Sequence, residues 1–347
     1  MTPPHPTPAR HAWWQTLLAI GISAAFLYWA LKGIHFRDVL AQVKAAHVLP
    51  LIATVIIATS TFGLRIFRWR ILLKANDGSS LPAGSLWHAI AIGFMANNVL
   101  PFRAGEVLRS LAITRLTRTR ITAALSSIAV ERLFDGVAIV SLLTIGLLTS
   151  GLPASSTIAM AGKDVRITHI AVVAGITFAA AMVMAAMVVA FPTLAEKVVR
   201  KVVPFPRLAE KLVAMIEGIV HGLSVLQSPL RILAVVAWSL GIWLVNVTSF
   251  YVAFKAFDIP VNFAGAMIMQ GILAFAISAP TAPGFLGVFE WAIKVTLLLY
   301  MIPEDRVVSY ALVYHATTFV PITLLGAWSL ARTGLGLKNL QADAATG

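Results

Sequence analysis

Long apolar runs alternate with short polar segments along the chain, and the length of each run predicts the element it forms. A helix needs about 20 apolar residues to cross a hydrocarbon core of about 30 Å. Runs of about that length predict six full transmembrane helices, at about 12–31, 47–64, 123–149, 168–191, 230–254 and 307–330.

Two further apolar runs are too short or too broken to cross in the same way. Residues 86–100 form only about 22 Å of helix, and residues 264–301 are interrupted near their middle. Non-helical backbone at membrane depth survives only where protein or a water-filled cavity covers it. We therefore predict two re-entrant helical hairpins around a polar cavity, with turns at Pro101, Gly105, Pro280, Pro283, Gly284 and Gly287.

The two predicted hairpins stand at corresponding places in the chain. Each follows one full span and precedes another, but the first opens from the cytoplasm and the second from outside. This pattern is typical of inverted-topology repeats, here about 47–150 and 230–331. The alternative is a coincidence of Pro and Gly turns.

The fold class predicted is thus an all-α polytopic membrane protein with one integral membrane domain, 12–331. We expect a disordered tail at 1–11 and a short polar tail at 332–347. Cations alternate with apolar residues over 194–227, which predicts amphipathic helices on the inner leaflet.

Composition and charge agree with this setting. The chain is 59% hydrophobic and 12% charged, with mean hydropathy +0.86 and a formal net charge of +13. The positive-inside rule and anionic lipids explain that charge better than nucleic acid does. We expect a bacterial inner-membrane protein with both termini cytoplasmic. The alternatives for Arg65, Arg68 and Arg70 are a topology anchor and a functional site, and we favour the anchor. With no cysteine, disulfides and thiolate metal sites are excluded.

Ionisable residues inside apolar segments are the candidate site. Glu131 and Asp135 share a helix face at i, i+4, and Arg132 reaches Asp135 at i, i+3. They form either an ion pair that fixes helix packing or a headgroup or proton site.

The first hairpin carries a second candidate set. Arg103, Glu106 and Arg109 are either a solvated face or a guanidinium cradle for phosphate. Asn97 and Asn98 are predicted to cap the broken helix and to line the cavity.

The second hairpin adds a predicted i, i+4 pair, Glu290 and Lys294. His315 is an intramembrane imidazole, either a hydrogen-bonded structural residue or a proton-relay or phosphate contact. Gln270 is expected to line the same cavity. Catalytic motifs of the HExxH, GxSxG and P-loop types are missing from the sequence, and no cofactor or metal is predicted.

Taken in order, these motifs resemble the flippase-like transmembrane family of lysylphosphatidylglycerol synthases. The resemblance covers nearly the whole chain and rests on Arg65-x-x-Arg68-Trp69-Arg70, Asn98-x-x-Pro101-x-Arg103-x-Gly105-Glu106-x-x-Arg109, Glu131-Arg132-x-x-Asp135, Pro283-Gly284-x-x-Gly287-x-Phe289-Glu290 and the closing Tyr314-His315 and Pro321. It implies a stand-alone lipid-translocating unit without an aminoacyl-transferring domain. Many members have Arg where this chain has His315.

We therefore predict a lipid flippase or transporter that moves a phosphate-bearing lipid between leaflets by alternating access. The alternatives are a membrane-embedded lipid-modifying enzyme and a non-transporting scaffold for one. The partners expected are membrane lipids with an anionic or phosphate headgroup, and a homodimer or a lipid-biosynthetic partner enzyme both stay open.

Overall fold

The structure is a computed structural model, and it describes residues 36–100, 103–153, 156–160, 163–166, 191–206, 228–278 and 282–336, with scattered positions over 21–28, 168–187 and 209–216. The first predicted span, most of the fourth, much of the predicted amphipathic segment and most of the C-terminal tail lie outside the described residues, as do Pro101 and Pro280.

The first half of the described chain is helical. Its helices are α1 (Phe36–Ala45), α2 (Val48–Leu72), α3 (Ala83–Val99), α4 (Gly105–Thr117) and α5 (Ile121–Thr149). Arg118 adopts left-handed backbone angles at the C-terminus of α4, with φ of 58°, and this ends the helix and turns the chain into α5.

A short pair of strands and an amphipathic helix follow. Strands β1 (Thr157–Met160) and β2 (Lys163–Arg166) are antiparallel, with Thr157 opposite Arg166. They lie within a segment that the hydropathy pattern assigns only to a loop. Helix α6 (Pro192–Val202) begins with proline, has no buried residue, and ends before Pro204.

The second half repeats the element order of the first. It contains α7 (Pro229–Phe254) with a 3₁₀ turn (Lys255–Phe257), α8 (Phe263–Ala276), a second 3₁₀ turn (Pro283–Phe285), α9 (Val288–Leu298) and α10 (Glu304–Thr333). Each half has a long helix, two short helices that fold back on each other, and another long helix. Asn262 caps α8 by accepting a hydrogen bond from the Gly265 amide at 2.9 Å.

Packing joins the halves in a reciprocal way. Helix α2 packs against α7, α10 packs against α3, and α5 packs against α8. Glycines allow the last two contacts: a Cβ on Gly326 would lie 2.2 Å from the Met95 Cβ, and one on Gly146 would lie 2.8 Å from the Met267 Cβ. Each folded-back pair therefore rests on the closing helix of the other half.

Three helices among the described residues are long and apolar enough to cross a membrane: α2, α7 with its 3₁₀ turn, and α10. Helix α5 is 29 residues long but carries Glu131, Arg132 and Asp135. Large apolar side chains such as Leu49, Leu148 and Leu230 are exposed on the outer surface, as expected where lipid replaces water.

Candidate functional site

A cluster of charged residues lies inside the molecule, between α2, α4 and α5. At its centre, Arg68 donates to the Asp135 carboxylate and, at 2.9 Å, to the Ser239 hydroxyl of α7. The Trp243 indole also donates to Asp135, at 2.9 Å. Arg68 and Asp135 are both buried. Their mutual attraction therefore offsets the cost of removing the two charges from water.

Glu131 binds a second arginine from the first folded-back pair. Arg109 donates to both Glu131 carboxylate oxygens, at 2.8 and 3.0 Å, and its guanidinium lies 3.6 Å from the Trp69 ring. The Arg68 Nη2 is 3.3 Å from the same carboxylate. Glu131 has no exposed surface, and three guanidinium groups supply its charge partners, the third being that of Arg132 at 3.8 Å.

Arg132 lies at the rim of the cluster. Its guanidinium is 3.2 Å from Asp135 and 3.7 Å from Glu106, and its side chain is 38% exposed. The predicted contact between Arg132 and Asp135 is therefore present. Glu106 is also partly exposed, so the Arg132–Glu106 contact can break without leaving either charge fully buried.

Helices α3 and α4 cross at two glycines. A Cβ on Gly105 would lie 1.9 Å from the Gly93 carbonyl oxygen, so only glycine fits there. Asn97 bridges the turn, since its side-chain oxygen accepts from the Gly105 amide at 2.9 Å. Asn98 instead donates to the Thr323 hydroxyl of α10, at 2.8 Å.

The turns of the two folded-back pairs meet. Arg103, in the first turn, donates to the Ile277 carbonyl in the second at 3.1 Å. A Cβ on Gly284 would lie 3.3 Å from the Asn98 carbonyl oxygen. Gly284 and Gly287 have positive φ, at 68° and 83°, and Pro283 begins the 3₁₀ turn between α8 and α9.

Two adjoining cavities open around these turns. The larger has a volume of about 390 Å³ and is lined by Asn97, Arg103, Glu106, Arg109, Arg132 and Asp135. The smaller, of about 200 Å³, is lined mainly by aromatic and apolar side chains with Gln270 and His315. Arg65, Phe94, Asn98, Trp243, Ile277 and Phe285 line both.

The predicted pair of Glu290 with Lys294 is wrong. Glu290 accepts from the Gly287 amide at 2.7 Å and bonds to His315 Nδ1, while Lys294 is 3.2 Å from Glu304. The helix spacing allows the i, i+4 contact, but the N-terminal amide of α9 and the imidazole of α10 hold the carboxylate. His315 also stacks on Phe289, with ring centroids 4.3 Å apart.

The interpretation of Arg65 and Arg68 as a topology anchor is also wrong. Helix α2 continues to Leu72, so both side chains are buried beside α5, whereas Arg70 is partly exposed and donates to the Leu81 carbonyl at 3.1 Å. Trp69, Ser239 and Trp243 were likewise not predicted. One signal was available: two carboxylates inside the apolar α5 require cations from another segment.

The geometry describes a mainly helical membrane protein whose two halves enclose a charged cavity. The family model of the lysylphosphatidylglycerol synthase TM region matches residues 16–326, and the chain belongs to that family. This match confirms the family resemblance of the sequence motifs, and it supports a lipid-related function in a membrane.

A curated relative shares part of this sequence. The chain is 25% identical over 321 residues to a protein named glycosyltransferase AglD from Haloferax volcanii. The alignment covers 84% of this chain and 50% of the relative, so the chain spans about half the length of that protein.

Proposed function

We propose that the protein is a flippase that moves a phosphate-bearing lipid between the leaflets of the inner membrane by alternating access. The observation that carries the proposal is the charged cavity at the meeting point of the two turns. A headgroup would enter this cavity while its apolar chain stays in lipid.

The position of the charges supports this use. Glu131 is ten residues from the start of α5, about 15 Å along a helix axis and about half of a hydrocarbon core of about 30 Å. Charged side chains at that depth are costly and usually belong to a substrate or ion pathway.

The lengths of the short helices support re-entrant hairpins. Helix α3 has 17 residues and α4 has 13, about 25 and 20 Å, both less than the hydrocarbon thickness. Their turn contacts the turn between α8 and α9, as two hairpins entering from opposite faces would do. The recurring element order supports the inverted repeat. We further propose that the chain has six full spans and that both termini are cytoplasmic.

Alternating access needs contacts that can exchange between two states. The pair of Arg132 with Glu106 is one, because it joins α5 to α4 at the rim of the cavity. The pair of Glu290 with His315 is another, because it joins α9 to α10 beside the smaller cavity. We propose that these contacts change partners as the cavity opens to one face or the other.

A lipid-modifying enzyme is the second candidate, because the Haloferax volcanii relative is named a glycosyltransferase. A scaffold for such an enzyme is the third.

Reconstitution into liposomes separates the three candidates. Liposomes of phosphatidylcholine and phosphatidylglycerol would contain a fluorescent phosphatidylglycerol that external dithionite quenches. We expect the purified chain to increase the quenched fraction beyond that of protein-free liposomes, with the labelled lipid chemically unchanged on chromatography. A chemically new lipid, formed in liposomes that also receive a glycosyl donor, would support the enzyme, and no change in either measurement would contradict both the flippase and the enzyme.

A further inference from the structure

Arg65 differs from the other buried arginines because, among the described residues, it forms no direct ion pair or hydrogen bond. Its side chain is only 5% exposed, yet its Nε has no partner among those residues. Its guanidinium carbon lies 4.9 Å from the centre of the Phe94 ring, a cation–π contact. A buried charge without a partner is unfavourable, so something else must offset it.

Arg65 lies between the two cavities and lines both of them. Asn98 and Trp243 line both as well. The guanidinium therefore faces a space of about 390 Å³. Small-molecule sites have volumes of about 300–1,000 Å³, so this space suits a lipid headgroup without its acyl chains.

The charges around the larger cavity do not balance. Three arginines bind carboxylates, namely Arg68, Arg109 and Arg132. Two more line the cavity: Arg65, and Arg103, whose guanidinium donates to the Ile277 carbonyl. Among the described residues, the cluster and the cavity lining together hold five guanidinium groups and three carboxylates, those of Glu106, Glu131 and Asp135, so there are two positive charges in excess.

We propose that Arg65 of α2, together with Arg103 in the turn between α3 and α4, binds the phosphate group of the headgroup. This assignment rests on the proposed function and names the chemistry that its substrate must offer. A planar guanidinium matches two phosphate oxygens at once, and the Phe94 ring holds its plane in place. The phosphate supplies the negative charge that the cluster lacks, so an uncharged lipid binds weakly.

Binding can be measured without transport. The purified full chain in detergent would be titrated with dioctanoyl phosphatidylglycerol, inorganic phosphate or uncharged dioctanoylglycerol, with tryptophan fluorescence as the signal, since Trp243 lines the cavity. We expect phosphatidylglycerol to bind and dioctanoylglycerol not to bind. Losing a hydrogen bond to a charged group lowers affinity roughly tenfold to a hundredfold, and we expect this loss in Arg65→Gln. Saturation by inorganic phosphate alone would assign the site to free phosphate.

The variants are designed to separate binding from folding. Arg65→Lys keeps the charge without the fork and should retain part of the affinity, whereas Arg120→Gln, at an exposed position, should bind as the unchanged protein does. Arg65→Gln without lipid should melt no lower than the unchanged protein, because Arg65 has no bonded partner to lose. The proposal is overturned if no anionic probe binds, or if Arg65→Gln binds phosphatidylglycerol as tightly as the unchanged protein.

The liposome assay distinguishes this failure from that of the proposed function. Normal translocation by Arg65→Gln would contradict the phosphate site at Arg65 but would leave the flippase proposal intact. If binding depends on Arg65 but no lipid moves in the liposomes, the phosphate site would be supported and the flippase proposal contradicted.

Discussion

At the residue scale, the charged cluster divides into a paired interior and a rim that faces the cavity. Glu131 has no exposed surface and binds Arg68 and Arg109, which favours packing over substrate contact for this carboxylate. Arg132 and Glu106 are partly exposed beside the cavity. The sequence left both alternatives open for the charges of α5, and we propose that the buried pairs serve helix packing whereas Arg132, at the rim, faces the headgroup.

Replacing Glu131 tests the paired interior. Glu131→Gln leaves Arg68 and Arg109 without part of their counter-charge, and breaking a buried pair in this way typically costs about 3–5 kcal/mol. We expect a loss of that size in the free energy of unfolding, measured by denaturant titration in detergent. The double variant Glu131→Gln/Arg109→Met should lose less than the sum of its single variants. Strict additivity would show that the pair does not act as one unit.

Sequence patterns predicted the charged residues of α5 better than their partners. The cations at the end of the second apolar run have the composition of a topology anchor, and nothing local shows that α2 continues to Leu72 and places Arg65 and Arg68 beside Asp135. In the same way, Glu290 had a suitable neighbour four residues on, while its real partner His315 is 25 residues away. Spacing along a helix cannot report contacts between helices.

At the element scale, the pair of α3 and α4 depends on the close crossing of Gly93 and Gly105. The sequence predicted where this pair turns, because a short apolar run followed by Asn, Pro and Gly cannot continue as one helix. It did not predict that backbone touches backbone at the crossing. That contact also places Asn97 across the turn.

Gly105→Ala tests this crossing. The new Cβ would lie 1.9 Å from the Gly93 carbonyl oxygen, so α3 and α4 must separate, and we expect a loss of about 1–3 kcal/mol or more, as for other overpacked sites. Gly84→Ala is the matched control in the same pair, because a Cβ there meets nothing within 4 Å. Thermal unfolding in detergent should show a lower midpoint for Gly105→Ala and none of that loss for Gly84→Ala. Equal midpoints would contradict the crossing.

At the scale of the whole molecule, the closing helix of each half packs on the short helices of the other. Because the halves pack on each other in this way, both turns line the larger cavity. A movement of either half therefore changes the walls of that cavity. The reciprocal use of Gly146 and Gly326 supports an equivalent role for α5 and α10. The proposed inverted repeat adds one requirement: the open ends of the two hairpins must lie on opposite faces of the membrane.

Single cysteines test that requirement, because the natural chain has none. Ser79→Cys and Arg120→Cys label the open end of the first hairpin, and Asp258→Cys and Met301→Cys label that of the second, all at exposed positions. In intact cells we expect a membrane-impermeant maleimide to modify the second pair, and to modify the first pair only after the membrane is opened, because positive-inside orientation places the Arg-rich end in the cytoplasm. Labelling of all four positions from one face would exclude opposed hairpins. The cavity would then have no second face to open to, and alternating access by this route would be impossible.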